Sequence, residues 1–249
     1  MTDWFSTGSA DYAAVRPRYP RRLYDTLASY LSQRQRVWDC GCGNGQAAVD
    51  LADYFAEVQA TDVSAEQIRH AIPADRVSYS VQPAEATTFP DAYFDAVTVA
   101  QALHWFDRER FWAEVERVLR PGGVFAAWGY DWFAIAPAID AVVQRQISEV
   151  LAPYWSPRLK LMWDGYRDAG LPFAPLPGPE LQMTVDWTLP ELLAYLQTWS
   201  ATKRCLQEQG SAWLHTASRE LVEAWGAPDQ PRTVTMKIHW IAGQKGNPK

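Results

Sequence analysis

Short apolar segments alternate with segments of helical periodicity over the first half of the chain, and this alternation restricts the fold more than any other feature. Short apolar runs bounded by turn residues are typical of buried strands. Strands that alternate with helices at this spacing form a parallel sheet that is covered on both faces, with right-handed crossovers. The sequence therefore predicts a doubly wound α/β fold. The predicted strands are Arg36–Asp39, Glu57–Thr61, Val77–Val81, Asp95–Ala100 and Val124–Trp128.

The pattern changes after Tyr130. Apolar residues from Ile139 to Val150 recur at helical spacing, and Thr188 with Glu191 is typical of a helix N-terminus. A further helix is predicted near Leu214–Trp225, and Thr233–Ile241 has the pattern of a closing strand. We therefore predict a seven-stranded sheet, mostly parallel with its last strand antiparallel, and a helical insertion.

Composition excludes several classes of protein. The chain has 249 residues, of which 48% are hydrophobic and 21% charged, so it is expected to fold with a full core. Its net charge of -6 argues against nonspecific nucleic-acid binding. Three cysteines without metal-like spacing suggest a reducing compartment and no structural zinc. Because no segment resembles a membrane span or a secretion signal, a cytoplasmic location is expected.

A glycine-rich turn follows the first predicted strand. Three glycines alternate with other residues from Gly41 to Gly45, which allows the backbone to turn tightly and to approach a ligand closely. A dinucleotide fingerprint would need a glycine at Gln46, and a phosphate-binding loop would need Gly-Lys-Ser/Thr. Both interpretations fail. What remains is Asp39 before the turn and Asp62 after the second strand, whose carboxylate can accept two ribose hydroxyls.

These residues resemble the class I S-adenosylmethionine-dependent methyltransferases. Asp39–Gly45 matches the Asp-x-Gly-x-Gly-x-Gly loop of that family, Asp62 matches its ribose-binding acid, and Arg117–Gly123 matches the segment that leads into the fifth strand. The resemblance covers most of the chain and implies a Rossmann-like sheet. Tyr12–Pro20 and Gln101–Asp107 are similar to the branch of trans-aconitate methyltransferase-like enzymes.

The resemblance implies an enzyme that uses S-adenosylmethionine to methylate a small-molecule acceptor, either a carboxylate or a hydroxyl. The alternative is a regulatory or scaffolding protein of the same fold that binds the cofactor without turnover. Eleven of the 13 tryptophans follow residue 100, and helices rich in tryptophan are suited to form the walls of a substrate pocket, which favours the enzyme. No nucleic-acid or membrane partner is expected, whereas the acceptor atom and the oligomeric state stay open.

Several residues are expected to bind the cofactor because they occupy positions of the family motifs. Asp39 would seat the amino group, the glycines would let the backbone close around it, and Asp62 would hold the ribose. Gln82–Glu85 resembles the turn that holds the adenine, and Gln101 falls near the methionine end. The expected cofactor-binding residues are Tyr12, Arg16, Asp39, Gly41, Gly43, Gly45, Asp62, Val63, Ala84, Glu85 and Gln101.

His104 is the candidate general base because it alone among the histidines follows a predicted central strand. The alternative is a structural histidine that binds the backbone. Trp105 either faces the sulfonium or packs in the core. Trp199 and Arg204 are expected near the substrate, since Trp199 begins a segment similar to the branch. No metal is expected, because no histidine has a second ligand nearby in sequence.

The first twenty residues are expected to form a lid that brings Tyr12 and Arg16 to the methionine end of the cofactor and excludes water. A structural strap with Arg16 in solvent is the alternative. The whole chain is predicted to be one methyltransferase domain. Its expected parts are an N-terminal lid and helix (1–34), a cofactor-binding core (35–131), a helical substrate cover with one strand (132–231) and a closing strand (232–249).

Overall fold

Eight strands in one sheet form the frame of the protein, as seen in a computed structural model that describes residues 18–246. They are β1 Arg36–Cys40, β2 Glu57–Asp62, β3 Val77–Val81, β4 Phe94–Ala100, β5 Leu119–Ala134, β6 Ala174–Leu176, β7 Leu181–Trp187 and β8 Arg232–Gln244. The strand order is β3-β2-β1-β4-β5-β8-β6, and β7 pairs with β8 off this path. The five strands from β3 to β5 are parallel, whereas β6 and β8 pair in antiparallel fashion.

The predicted doubly wound fold is confirmed, and all five predicted parallel strands are present. The strand order reverses between β1 and β4, so the carboxyl ends of these two strands flank the crevice in which such sheets bind ligands. β4 is buried along nearly its whole length, as expected of a central strand covered on both faces.

Helices follow the strands in the order that the periodicity predicts. Ser64 caps its helix by accepting a hydrogen bond from the backbone N–H of Gln67. Thr188 forms a capping box with Glu191, so the helix start predicted there is confirmed. The helices are α1 Arg21–Ser29, α2 Gln46–Leu51, α3 Ala65–Arg69, α4 Arg108–Val118, α5 Pro137–Val143, α6 Glu149–Leu151, α7 Lys160–Trp163, α8 Leu189–Gln197, α9 Ser200–Gln209 and α10 Ala212–Trp225.

Two strands lie between residues 132 and 231, where the sequence predicted one. β6 is three residues long and contains Pro175, and prolines at 172, 177 and 179 surround it. Because proline removes a backbone donor, it is tolerated at the edge of a sheet, which is where β6 lies. The same prolines conceal the strand in the sequence pattern.

The residues fall into two compact units. The sheet unit comprises Tyr19–Asp131, Arg158–Leu181 and the chain from Lys237, and the helical unit comprises Trp132–Pro157 and Gln182–Met236. Residues 158–181, which the sequence assigned to the cover, thus belong with the sheet. The predicted single domain with its four parts stays a prediction. Between residues 18 and 246, no helix is long and apolar enough to cross a membrane.

A buried carboxylate joins the amino ends of β1 and β4. Asp95 accepts hydrogen bonds from the backbone N–H groups of Gln35 and Arg36, and its other oxygen lies 2.8 Å from Nε of Arg120. Asp95 is buried. Its removal would therefore leave two amides without their acceptor and would remove the carboxylate that pairs with Arg120.

Asp95→Ala is expected to lower the free energy of unfolding by about 2 to 4 kcal/mol, because buried donors lose their partner. Asp91→Ala is the matched control: Asp91 also pairs with an arginine, Arg117, but its side chain is exposed. The control should cost less than about 1 kcal/mol. Urea denaturation followed by circular dichroism measures both, and equal losses would contradict this account of Asp95.

Candidate active site

The carboxyl edge of the sheet collects most of the residues that the sequence predicted for the site. β1 pairs with β2 on one side and β4 on the other, so residues after these three strands meet at one edge. All of the following predicted residues lie in the sheet unit: Asp39, Gly41, Gly43, Gly45, Asp62, Val63, Ala84, Glu85, Gln101, His104 and Trp105. Tyr12 and Arg16 lie outside the described residues.

Asp39 is a buried carboxylate, and only one of its two oxygens accepts a hydrogen bond within residues 18–246. Its Oδ1 accepts a hydrogen bond from Thr98 Oγ1 at 3.1 Å, across the β1–β4 pair. Its Oδ2 is buried and has no hydrogen-bond partner among residues 18–246. Burial raises the pKa of Asp39 to about 7, the Thr98 hydrogen bond opposes this, and the charge of Asp62 adds to it. A ligand cation beside Oδ2 would compensate the buried charge.

The glycine turn is shaped by two different requirements. A Cβ atom on Gly41 would lie 2.7 Å from Cβ of Ala102, so the close approach of the loop after β4 excludes any side chain. Gly43 has φ +56°, and nothing lies nearer to its Cβ position than Oε1 of Gln67 at 4.0 Å. The backbone at Gly43 is thus open, and a ligand can approach it closely.

Asp62 ends β2 and fixes the glycine turn. Its Oδ2 accepts a hydrogen bond from the N–H of Gly43 at 2.9 Å, and its Oδ1 accepts one from the N–H of Ser64 at 2.8 Å. Each carboxylate oxygen has a second lone pair, so both can accept another hydrogen bond. Val63, the next residue, is 75% exposed. An apolar surface therefore lies directly beside two available acceptors.

The turn after β3 carries Ala84, which is buried, and Glu85. Oε1 of Glu85 accepts a hydrogen bond from the backbone N–H of Asp107 at 2.9 Å. Asp107 is the N-cap of α4. Glu85 thus ties this turn to the start of α4, and its expected role toward an adenine ring stays a prediction.

Gln101 lies directly after β4 in a left-handed conformation, with φ +57°. Such a conformation costs a non-glycine residue about 1 to 3 kcal/mol and is found mostly where the surrounding structure enforces it. Here the backbone N–H donates to the carbonyl of Trp128 at 2.8 Å, and Nε2 donates to the carbonyl of Tyr130 at 3.1 Å. β5 therefore holds both the backbone and the side-chain amide of Gln101 in place.

His104 lies in a short 3-10 turn, Leu103–Trp105, after β4, where the sequence placed the candidate base. The imidazole is buried, and its Nδ1 has no hydrogen-bond partner in the part of the chain that the structure describes. Burial lowers the pKa of His104 to about 4. The ring is therefore neutral at pH 7 and a weak proton acceptor.

Trp105 is 44% exposed, which is unusual for so large an aromatic side chain. Its carbonyl accepts a hydrogen bond from Nη1 of Arg158 at 2.7 Å, which fixes the backbone of the turn. The ring centroid lies 4.8 Å from that of His104. An exposed indole at this edge is a surface on which a flat or cationic ligand can rest.

Trp199 and Arg204 lie in the helical unit rather than with the other predicted residues. Trp199 is the N-cap of α9, and its ring centroid lies 5.2 Å from that of Trp132 and 5.3 Å from that of Trp155. Arg204 is exposed, and its Nη1 donates to the carbonyl of Tyr154 at 3.3 Å. The tryptophans thus form a packed aromatic cluster, and Arg204 stands apart from them on α9.

Sequence reasoning missed one pair of side chains. Nε2 of His239 lies 2.7 Å from Oδ2 of Asp131, and the two residues are 108 positions apart. Asp131 lies in β5 and His239 in the neighbouring strand β8. The available signal was an acid just after the predicted fifth strand and a histidine in the predicted closing strand. Among residues 18–246, no three His, Cys, Asp or Glu side chains group as metal ligands.

Asp39 makes the stability of the ligand-free protein depend on pH. Because its pKa is raised by burial, its contribution is fully present below about pH 4 and is lost as the pH rises through 7. We expect wild type to lose stability relative to Asp39→Asn over this range, by up to about 1.4 kcal/mol per pH unit. Thermal melts of both proteins at several pH values test this, and a constant difference between them would contradict it.

A family model described as a methyltransferase domain matches residues 38–127. A methyltransferase homologue of Dictyostelium discoideum is 30% identical over 231 residues, which cover 91% of this chain and 88% of that protein. The 2-methyl-6-phytyl-1,4-hydroquinone methyltransferase of Synechocystis sp. is 30% identical over 226 residues, which cover 83% of this chain and 64% of that protein.

A solved structure from Anaeromyxobacter dehalogenans, described as a type II methyltransferase, has the same architecture. It superposes with a TM-score of 0.87 at 43% sequence identity. The match covers 93% of this chain and 99% of the other. Both the sequence likeness and the shared fold thus extend over nearly the whole chain.

Proposed function

The chain belongs to the class I S-adenosylmethionine-dependent methyltransferases, and from this premise we propose that it transfers the methyl group to a small-molecule acceptor at the carboxyl edge of β1, β2 and β4. The observation that carries the proposal is the buried Oδ2 of Asp39, which has no hydrogen-bond partner among residues 18–246, together with the open backbone of Gly43 in the turn that follows β1. A cationic ligand that enters next to the glycine turn would compensate the buried negative charge of Asp39.

The residues present fit S-adenosylmethionine. Asp39 would pair with the cationic amino group, and Asp62 has two acceptor positions for the two ribose hydroxyls. Val63 offers the apolar surface that an adenine ring would cover. Ala84 and Glu85 border that ring in our proposal, and Gln101 would meet the methionine end through Oε1.

When bound, the cofactor supplies an activated methyl group on a sulfonium. The protein has to bind it, align the acceptor and exclude water. In our proposal Trp105, which is 44% exposed, packs its ring against the sulfonium, a contact that is worth on the order of 2 kcal/mol when it is desolvated. Tyr12 and Arg16 stay proposed parts of a lid. The base role that the sequence predicts for His104 stays a prediction, and the burial that keeps its ring neutral counts against it.

We propose a hydroxyl or a carboxylate as the acceptor, with Trp199 and Arg204 contributing to its recognition. The name of the Synechocystis relative supports a hydroxyl-bearing ring, since that protein acts on a hydroquinone. Membership of the trans-aconitate methyltransferase-like branch would instead favour a carboxylate, and it stays a proposal. So do the cytoplasmic location and the lack of nucleic-acid and membrane partners.

Turnover is tested by incubating the protein with S-adenosylmethionine and a panel of small hydroxyl and carboxylate compounds. We expect S-adenosylhomocysteine and a methylated product for at least one compound, detected by mass spectrometry. Tight cofactor binding without any product across the panel would instead favour a regulatory or scaffolding protein of the same fold.

Asp62→Ala is expected to weaken S-adenosylhomocysteine binding by about 1 to 3 kcal/mol, because the acceptor for the ribose hydroxyls is lost. Titration calorimetry measures the affinity. Asp53→Ala, at an exposed aspartate beyond α2, is the control and should bind as wild type does. Equal affinity of Asp62→Ala and wild type would exclude Asp62 as the ribose ligand.

A further inference from the structure

We infer that His239, oriented by Asp131, is the general base of the methyl transfer, and that the acceptor is consequently a hydroxyl group. This inference rests on the proposed function and deepens it, because it names the proton acceptor and thereby the class of substrate. Four features of the sheet unit carry it: the hydrogen bond of the pair, its place in the sheet, the space beside the imidazole and the contrast with His104.

The hydrogen bond fixes which nitrogen of His239 is free to act. A carboxylate can only accept, so the 2.7 Å contact requires that Nε2 carries the proton and donates it to Oδ2 of Asp131. Nδ1 is then the nitrogen with a lone pair. A carboxylate in this position also stabilises the positive charge that the imidazole gains when it takes a proton.

The pair lies near the carboxyl end of β5, which is at the same edge of the sheet as the candidate site because β5 is parallel to β4. Nε2 of Gln101 donates to the carbonyl of Tyr130, the residue directly before Asp131. Tyr130 therefore connects the loop after β4, through Gln101, to Asp131 of the pair. β8 runs opposite to β5, because Gly122, early in β5, bonds to Lys245, just beyond the end of β8, whereas Asp131 contacts His239.

A glycine, Gly165, lies beside the imidazole of His239. Gly165 has φ +69°, and a Cβ atom built on it would lie 3.5 Å from Nδ1 of His239. The position that a side chain would take at Gly165 is therefore open to a small group in van der Waals contact with Nδ1. The next residue, Tyr166, carries a buried hydroxyl without a hydrogen-bond partner within residues 18–246, and this hydroxyl lies 2.7 Å from where a Cβ atom on Gly129 would be.

The two side chains are also exposed to the degree that a base requires. The side chain of His239 is 11% exposed and that of Asp131 is 24% exposed. The imidazole is thus shielded from bulk water but is not sealed in the core. His104, by contrast, is buried without a carboxylate partner among residues 18–246, and its pKa of about 4 makes it a poor proton acceptor at neutral pH.

The step balances without any further reactant. A lone pair of the acceptor oxygen forms the new O–C bond as the S–C bond of the sulfonium breaks, and the electrons of that bond remain on sulfur. The hydroxyl proton moves to Nδ1 of His239, and Asp131 pairs with the resulting imidazolium. A methyl ether, S-adenosylhomocysteine and one proton result. A carboxylate acceptor is already ionised and would need no base.

The experiment compares His239→Gln, which keeps a donor for Asp131 but has no basic nitrogen, with His104→Gln and with the exposed control His70→Gln. Calorimetry with S-adenosylhomocysteine first establishes that each variant folds and binds the cofactor. We then expect His239→Gln to lower kcat on the hydroxyl compounds of the panel by roughly 10² to 10⁴, with little change in KM. Methylation confined to carboxylates, or undiminished kcat in His239→Gln, would overturn the inference.

A second readout does not depend on turnover. Diethyl pyrocarbonate acylates accessible neutral imidazole nitrogens, and peptide mass spectrometry locates the modified residue. In the S-adenosylhomocysteine complex, we expect His239 to be modified, and to be modified more slowly in Asp131→Asn. An unreactive His239 would overturn the inference. Failure of the proposed function is distinct from this outcome, because it appears as cofactor binding without any product.

Discussion

The buried carboxylate of Asp39 is the constraint on which the rest of the site depends. It lies where the strand order reverses, at the carboxyl end of β1, and Thr98 of β4 satisfies only one of its oxygens. Burial without a cation is costly, which is why the pKa rises to about 7. The ligand-free protein therefore holds this carboxylate in an unfavourable state, which a cationic ligand would relieve in the proposed function.

Specific contacts hold the loops that follow β1, β2 and β4 around the carboxyl end of the sheet. Asp62 holds the glycine turn through the N–H of Gly43, and Gly41 allows the loop after β4 to come close. That loop begins with Gln101 in a strained conformation that β5 maintains through the carbonyls of Trp128 and Tyr130. The unpartnered Oδ2 of Asp39, the unpartnered Nδ1 of His104 and the left-handed Gln101 thus lie at one edge of the sheet, as counted among residues 18–246.

Local patterns explain what could be predicted from the sequence. The parallel strands, the glycine turn and the helix caps depend on residues close together in the chain, so periodicity and spacing are sufficient to find them. The pairing of His239 with Asp131 depends on which strands become neighbours, and no local pattern encodes it. The sequence placed His104 correctly after β4, but the low pKa of His104 follows from its burial, which local patterns do not give. The prolines in and around β6 hide that strand in the sequence pattern, because a strand with proline is tolerated only at the edge of a sheet.

Measuring the protons released when S-adenosylhomocysteine binds is the direct test of whether Asp39 pairs with a cationic ligand. The account predicts that S-adenosylhomocysteine, whose amino group is cationic, ionises Asp39 on binding, so wild type releases close to one proton at about pH 6 and binds up to about tenfold tighter per pH unit as the pH approaches 7. Titration calorimetry in two buffers of different ionisation enthalpy measures the proton count. Asp39→Asn should release none. Binding by wild type with no proton release and no dependence on pH would contradict the account.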